Sequence, residues 1–439
     1  MTEQDNLKLP ILYEKYKAFA EAGMRFLKER AKKGVKMYVR NKSKVTFGEG
    51  NQITVNYESD PSYSIFISEN EQDIKKLPEY IKCEDEVKEH PNYRNAFGML
   101  PFTFLEEIVD KTKSLDFSEP VFNEVYSDFE NFLLTMETSY KLHASLADFS
   151  MDAEIIELEP GLIIKKMTAE ELSETIDCMS PFSFRFDTLH YRYRIEVNYK
   201  IKEELEASGK NPHEIAISTL KNVITALRMF KCGDVYDAPY YYMPVSWAFF
   251  IRGIASSSIA NAPARTHIKP ELKLEKSEIE DFKKFWLFYK EFLPKRDNFL
   301  FLNTAISRLD FAYDNSRVED RLIDYMIAFE ALFLKGNEDQ ELNYRLALRT
   351  AVLLGESKES KEEVFKNMKT AYKLRSLVVH GKNFDKLKKE LEEKHKNVNE
   401  FILKIEEYLR KAIKQFLELI KTYSDQDAII DYLDSIILH

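Results

Sequence analysis

Arg375 and His380 are the two residues whose types and spacing could do chemistry on a phosphate group. An arginine guanidinium matches two phosphate oxygens at once, and a histidine that titrates near neutral pH can accept or donate a proton. RNA can be cleaved without a metal when its own 2′-hydroxyl attacks the phosphate, provided that a base, an acid and a positive charge are in place. One histidine cannot serve both sides of phosphorus at once, but two copies of the pair would supply both a base and an acid.

The segment around these residues has the apolar spacing of a helix. The pattern predicts one apolar side made of Met368, Ala371, Tyr372, Arg375 and Val379. A guanidinium on that side needs a counter-ion or a ligand. Five positions of an ideal helix turn His380 about 140° away from Arg375, so both can face one anion only if the helix ends there. The glycine that follows, Gly381, favours such an end because glycine readily takes the left-handed conformation after a helix.

The Arg-x4-His element of residues 374–381 also stands in a wider pattern. Three blocks precede it in order: AFEALFL at residues 328–334, ELNYRLALR at 341–349 and LLG at 353–355. Together they resemble the HEPN superfamily, and more closely its ApeA-like branch, over about the last third of the chain. The resemblance implies an all-helical, usually dimeric domain. In many members the arginine and histidine form a metal-independent ribonuclease site of a toxin or antiviral system, whereas other members are not enzymes.

The pattern and the resemblance together favour an endoribonuclease. We expect it to cleave single-stranded or transfer RNA by attack of the 2′-hydroxyl, without a metal or other cofactor, as a homodimer formed through the helical domain. Its role would be that of a regulated toxin or a phage-defence effector, with a phage-derived or small-molecule activator. The alternative is a non-catalytic helical module for dimerisation that senses a ligand or a partner. In that case Arg375 would pair with a buried acid and His380 would contact the carbonyl end of its own helix.

Several further residues are candidates for supporting this site. Ser376 is one helical turn before His380 and could bond to it, and Glu330 interrupts the apolar run of residues 325–334, so we expect it inside the helical bundle beside a cation. Arg375 is the leading candidate for that cation, and Arg345 and Arg349 are the others. Lys373 and Lys382 are candidates for contacting RNA. Residues 366–396 carry ten Lys or Arg against four Asp or Glu, although such lysines often only solvate a helix face.

Composition limits the classes of protein that this chain can belong to. The chain has 439 residues, 44% of them apolar, which is typical of a folded protein with more than one domain. The net charge of −10 argues against indiscriminate binding to nucleic acid, so any RNA contact must be local. Three widely separated cysteines predict neither disulfides nor a zinc site. The absence of a membrane-length apolar run and of a signal peptide favours a cytoplasmic location without membrane contact.

Residues 1–298 are predicted to form a mixed α/β sensor or regulatory region, with a break near 180–190 if it has two subdomains. We expect helices at 7–33, 119–149, 212–231 and 278–292, a hairpin from 35–47 and 52–67, a turn into a strand at 158–164, and an aromatic strand at 240–250. Residues 191–199 alternate as in a half-buried strand, with Arg192, Arg194 and Glu196 on its polar face. That face could bind a base and a phosphate, but an ordinary charged sheet surface is the more common outcome. Residues 256–263 are predicted to be a small-residue loop.

Residues 299–439 are predicted to form an all-α, HEPN-like bundle, which makes the fold class of the whole chain α+β. Residues 299–313 and 318–334 are expected to form one or two helices, and further helices are expected at 341–354, 361–380 and 398–423, joined by short links. The second of these is apolar nearly all round and is therefore predicted to be buried. The helix of residues 361–380 carries the Arg-x4-His element.

Overall fold

A computed structural model describes residues 9–35, 39–48, 53–81, 100–135, 137–178, 192–202, 212–244, 269–338, 340–380 and 397–437. The first part of the chain combines sheets and helices, and the part that follows is helical, so the α+β fold class is confirmed. No helix in the described ranges is both long and apolar enough to cross a membrane.

The first described elements form a helical layer and a hairpin. Helix α1 (Pro10–Lys32) packs against α4 (Leu100–Thr112) and α5 (Glu119–Thr135), and their apolar side chains form a separate core around Tyr16, Phe104 and Phe129. Strands β1 (Val39–Phe47) and β2 (Ile53–Pro61) pair antiparallel, as predicted. The second strand ends at Pro61, earlier than expected, because the chain then turns into the short helices α2 (Tyr63–Glu69) and α3 (Glu71–Ile74).

A five-stranded antiparallel sheet forms the centre of the α/β part, in the order β5-β6-β7-β3-β8. Its strands are β3 (Glu137–Ala147), β5 (Ile155–Glu159), β6 (Leu162–Lys166), β7 (Tyr193–Lys202) and β8 (Tyr236–Pro244). Gly161, with φ +83°, makes the tight turn between β5 and β6. Helices α6 (Ala169–Cys178) and α7 (Pro212–Phe230) follow β6 and β7, and the apolar side chains of α7 join one core with those of the sheet. A second, parallel pair joins β4 (Phe149–Met151) to β9 (Leu272–Leu274).

Two sequence predictions for this part were wrong. Residues 137–147 are strand β3 rather than the end of a helix, because apolar side chains alternate there and Leu142 and Leu146 both enter the core. Strand β7 is buried on both faces, with Arg194 and Glu196 each only 3% exposed, so it is not a half-buried strand with a solvated polar face. Arg192 lies over the ring of Phe47, 4.5 Å from its centroid. A surface platform for single-stranded RNA is therefore not formed by this strand.

The helical remainder follows the predicted order closely. After α8 (Ile279–Phe292) and a 3-10 segment (Leu293–Asn298), the helices are α9 (Leu300–Asp314), α10 (Val318–Phe333), α11 (Leu342–Leu354), α12 (Lys358–Val379) and α13 (Val398–Leu419). A last helix, α14 (Gln426–Ile437), was not predicted. It packs through Ile429, Ile430 and Leu433, which are fully or almost fully buried.

The apolar core is continuous across the boundary predicted at residue 298. One cluster of buried side chains includes Leu142 of the sheet, Leu227 of α7, Trp286 of α8, Leu309 of α9 and Leu409 of α13. The sheet and the helical bundle therefore share a core rather than meeting through a linker. The predicted subdomain break near 180–190 and the loop of 256–263 lie outside the described residues, as does the end of the predicted strand 240–250.

An ionic cluster is buried at this junction. Glu406 of α13 and Lys269, which precedes β9, have fully buried side chains, with Nζ 2.7 Å from a carboxylate oxygen. Tyr325 and Tyr313 donate hydrogen bonds to the same carboxylate at 2.6 and 3.1 Å, and Arg410 pairs with it. Burial alone would raise the pKa of Glu406, but the charges of Lys269 and Arg410 lower it to about 2. The carboxylate thus binds a segment before β9 to three helices of the bundle.

Candidate functional site

Helix α12 positions the candidate site. It begins with a capping box, in which Ser357 accepts a hydrogen bond from the Ser360 amide and the Ser360 hydroxyl bonds back to Ser357. It ends at Val379, and His380 occupies the C-terminal cap with φ −88° and ψ 11°. The predicted helix end at His380 is therefore confirmed, although Gly381 lies outside the described residues.

Arg375 lies at the edge of the buried side of α12. That side consists of Val364, Asn367, Met368, Ala371 and Leu374. The Arg375 side chain is 26% exposed, so its guanidinium is half-buried as the pattern suggested. Val379, which the predicted apolar side included, is instead 53% exposed because the helix has reached the surface there.

Glu330 of α10 is the acid that Arg375 contacts. Nη2 of Arg375 lies 3.4 Å from Oε2 of Glu330, and the Nε of the same guanidinium is buried without a hydrogen-bond partner in the part of the chain that the structure describes. The Glu330 side chain is 24% exposed, so it lies at the rim of the bundle rather than fully inside it. Burial raises the pKa of Glu330, and the charge of Arg375 acts in the opposite direction. The contact is long for a charge-assisted hydrogen bond, which leaves the guanidinium only loosely held.

Arg345 and Arg349 of α11, the other two candidate partners of Glu330, bind elsewhere. Both bond to Glu338 at 2.8 Å, and Arg349 also bonds to Asp434 of α14 and to the carbonyl oxygen of Phe333. Hydrogen bonding to Arg349 lowers the pKa of Glu338 to about 2, so this carboxylate stays ionised. These residues anchor the loop after α10 and the last helix. Sequence reasoning assigned neither Glu338 nor Asp434 a role, although an acidic stretch directly before a helix with two arginines one turn apart was a usable indication.

His380 is exposed at the end of α12. Five residues of helix separate it from Arg375 by about 7.5 Å along the axis. Ser376 connects to His380 through the backbone, since the His380 amide donates to the Ser376 carbonyl oxygen at 3.1 Å. Lys373 is exposed on the same helix, whereas Lys382 lies outside the described residues.

The structure thus brings together Arg375 and Glu330, places His380 and Lys373 at the accessible surface of the same helix, and separates Arg345 and Arg349 into another cluster. Among the described residues, no group of three or more His, Cys, Asp or Glu side chains is arranged to hold a metal ion.

Comparisons with models of protein families, with characterised proteins and with solved structures found no match.

Proposed function

We propose that this protein is a metal-independent endoribonuclease that acts in the cytoplasm as a regulated toxin or phage-defence effector. The observation that carries the proposal is the end of α12, where an exposed imidazole follows a half-buried guanidinium on the same helix. The HEPN-like order of motifs in residues 328–381 supports the same class. Single-stranded or transfer RNA is the proposed substrate, because an exposed phosphodiester must reach a site at the surface of a helix end.

The proposed mechanism uses the residues of two protomers. His380 of one copy removes the proton from the 2′-hydroxyl, which attacks phosphorus and forms a 2′,3′-cyclic phosphate. His380 of the other copy gives a proton to the departing 5′-oxygen. Arg375 neutralises the charge that develops on the phosphorane, and a half-buried guanidinium does this more effectively than a fully solvated one because water screens it less. Lys373 adds an exposed charge that a neighbouring phosphate can contact.

The test is incubation of the purified full-length protein with total RNA in EDTA, followed by analysis of the product ends. Cyclic phosphate and 5′-hydroxyl ends are the expected products. Intact RNA under these conditions, also after addition of an extract from phage-infected cells as a source of activator, would contradict the proposal.

A dimer follows from the need for groups on both sides of phosphorus. We expect light scattering to give twice the chain mass at micromolar concentration. Because the proposed site needs His380 from both copies, a heterodimer of wild-type and His380→Ala chains should be inactive. After subunit exchange in an equimolar mixture, the activity per wild-type chain should therefore fall to about half. A monomer with undiminished RNA cleavage would contradict this arrangement.

The alternative, a non-catalytic helical module that senses a ligand or partner, is favoured by one observation. Arg375 contacts Glu330 within the same protomer, so the pair can serve the packing of α10 on α12 without any substrate. In the ribonuclease the Glu330 carboxylate would position Arg375 for catalysis, whereas in the non-catalytic module it would only stabilise the packing of the two helices. A substitution of Glu330 can distinguish these roles.

Glu330→Gln is expected to lower RNA cleavage far more than stability. The amide keeps the shape of the side chain but no longer holds the guanidinium by charge. Because both side chains are about one-quarter exposed, the loss of the ion pair should cost only about 1 kcal/mol of unfolding free energy. Thermal melting and RNA cleavage are measured on the same sample.

Glu363→Gln is the matched control, since Glu363 is an exposed carboxylate of α12 that pairs with Lys404. A large fall in the melting temperature of Glu330→Gln would show that the pair is structural. Unchanged activity would show that Glu330 does not position Arg375.

A further inference from the structure

One face of the central sheet is lined by charged and polar side chains. Ser145 of β3 lies directly opposite Arg194 of β7 in the antiparallel register, and His143 lies opposite Glu196. All four are buried, with exposures between 0% and 3%. Residues two apart on a strand share a face, so these four side chains point to the same side of the sheet. That side faces away from the apolar core, which takes the alternate residues.

The guanidinium of Arg194 is fixed in orientation by two carboxylates. Its Nε donates to Glu196 at 2.6 Å, and its Nη2 donates to Glu171 of α6 at 2.6 Å. Both acids therefore hold one edge of the guanidinium. The remaining nitrogen, Nη1, is buried and has no hydrogen-bond partner among the residues that the structure describes. The hydroxyl of Ser145, fully buried on the facing strand, also has no partner in the described part of the chain.

The charges around this point do not cancel. Lys165 bonds to Glu171 at 2.6 Å and Lys141 lies 3.5 Å from Glu196, so three cations share two carboxylates. Burial, together with the charges of Arg194 and Lys141, lowers the pKa of His143 to about 3, so the imidazole is neutral at pH 7. Counted over the described residues, the group has one positive charge in excess. Lys141 is 32% exposed and Lys165 is 23% exposed, so part of this positive charge is accessible from the surface.

We propose that this face of the sheet binds a small oxyanion, a phosphate or carboxylate group, between Nη1 of Arg194 and Oγ of Ser145. A buried donor without a partner is costly, and two such atoms on directly paired residues can be satisfied by one acceptor group. A water molecule could accept the same hydrogen bonds. Only an anion also balances the excess positive charge, and we therefore propose an anion rather than a water molecule as the ligand. The site lies in the region predicted to be regulatory and is independent of the proposed ribonuclease site.

The test is thermal melting of the full-length protein at pH 7 with inorganic phosphate or acetate, against sodium chloride of equal ionic strength. Millimolar phosphate, acetate or both should raise the melting temperature by several degrees beyond chloride. The anion that acts identifies the group. Ser145→Ala should fold normally, because it removes a hydroxyl without a partner, and should weaken anion binding about tenfold. Ser150→Ala of β4, a serine outside this face, is the control and should bind like the wild type.

A second variant tests the charge. Ser145→Asp places a carboxylate on the residue paired with Arg194 in the sheet, and we expect its melting temperature to be at least that of the wild type and insensitive to added anion. Equal melting curves of the wild-type protein in phosphate, acetate and chloride would overturn the proposal. So would an anion effect that Ser145→Ala leaves unchanged.

Discussion

His380→Ala is expected to abolish RNA cleavage and leave the protein folded. The imidazole is exposed at the end of α12, so its removal opens no cavity in the core. In the proposed mechanism two copies of it move the protons at the 2′-oxygen and the 5′-oxygen. General acid–base catalysis contributes about 10²- to 10⁴-fold to a rate, and the loss of both roles at once should bring cleavage below detection. The measurement is cleavage of labelled RNA in EDTA, with a melting curve on the same preparation.

Thr370→Ala is the matched control for this experiment. Thr370 is on the same helix, and its hydroxyl donates a hydrogen bond to the carbonyl oxygen of Lys366 one turn earlier. Alanine favours the helical state, so this variant should melt and cleave RNA like the wild type. Equal cleavage by the wild type and His380→Ala would mean that the activity comes from another site or a contaminant.

Glu406→Gln is expected to have the largest effect on stability. The change removes the only negative charge that faces both Lys269 and Arg410 at full burial among the described residues. Breaking a buried ion pair by neutralising one partner costs about 3–5 kcal/mol, because the remaining charge is left without compensation. We expect a large fall in the melting temperature, which is measured by circular dichroism.

Glu418→Gln controls for the loss of a carboxylate from α13, since Glu418 is 63% exposed and pairs with the exposed Lys421. It should change the unfolding free energy by less than about 1 kcal/mol. Adding Lys269→Met to Glu406→Gln removes the stranded ammonium and should recover part of the loss. A Glu406→Gln protein that melts like the wild type would show that the cluster contributes no net stability.

The helices were predictable wherever local spacing determined them. Residues 318–334 are apolar nearly all round, and 398–423 repeat every three or four positions, so both helices were expected within a few residues of their true ends. The end of α12 at His380 was also expected. The Arg375–Glu330 contact could be proposed because an acid inside an apolar run and a cation on an apolar face each need a partner.

What the sequence did not reveal depends on contacts between distant segments. The alternation of apolar and polar residues at 137–147 was overlooked because a helical pattern directly precedes it. The burial of Arg194 was not predictable because its partner Glu171 lies on α6, a separate segment of the chain. Arg345 and Arg349 were assigned to Glu330 as alternatives to Arg375, but both bond to Glu338. Arg349 also bonds to Asp434, which lies on a helix that was not predicted. Spacing along one helix cannot identify a partner 85 residues away.

The shared core across residue 298 changes what a deletion experiment means. A chain cut there would expose Leu309, Tyr313 and Leu409 to water and would leave Glu406 without Lys269. The bundle without its sheet would then be prone to aggregate. An inactive fragment of this kind would therefore report the absence of folded protein. Point substitutions that retain every core residue are the way to test the proposed ribonuclease site and the proposed anion site separately.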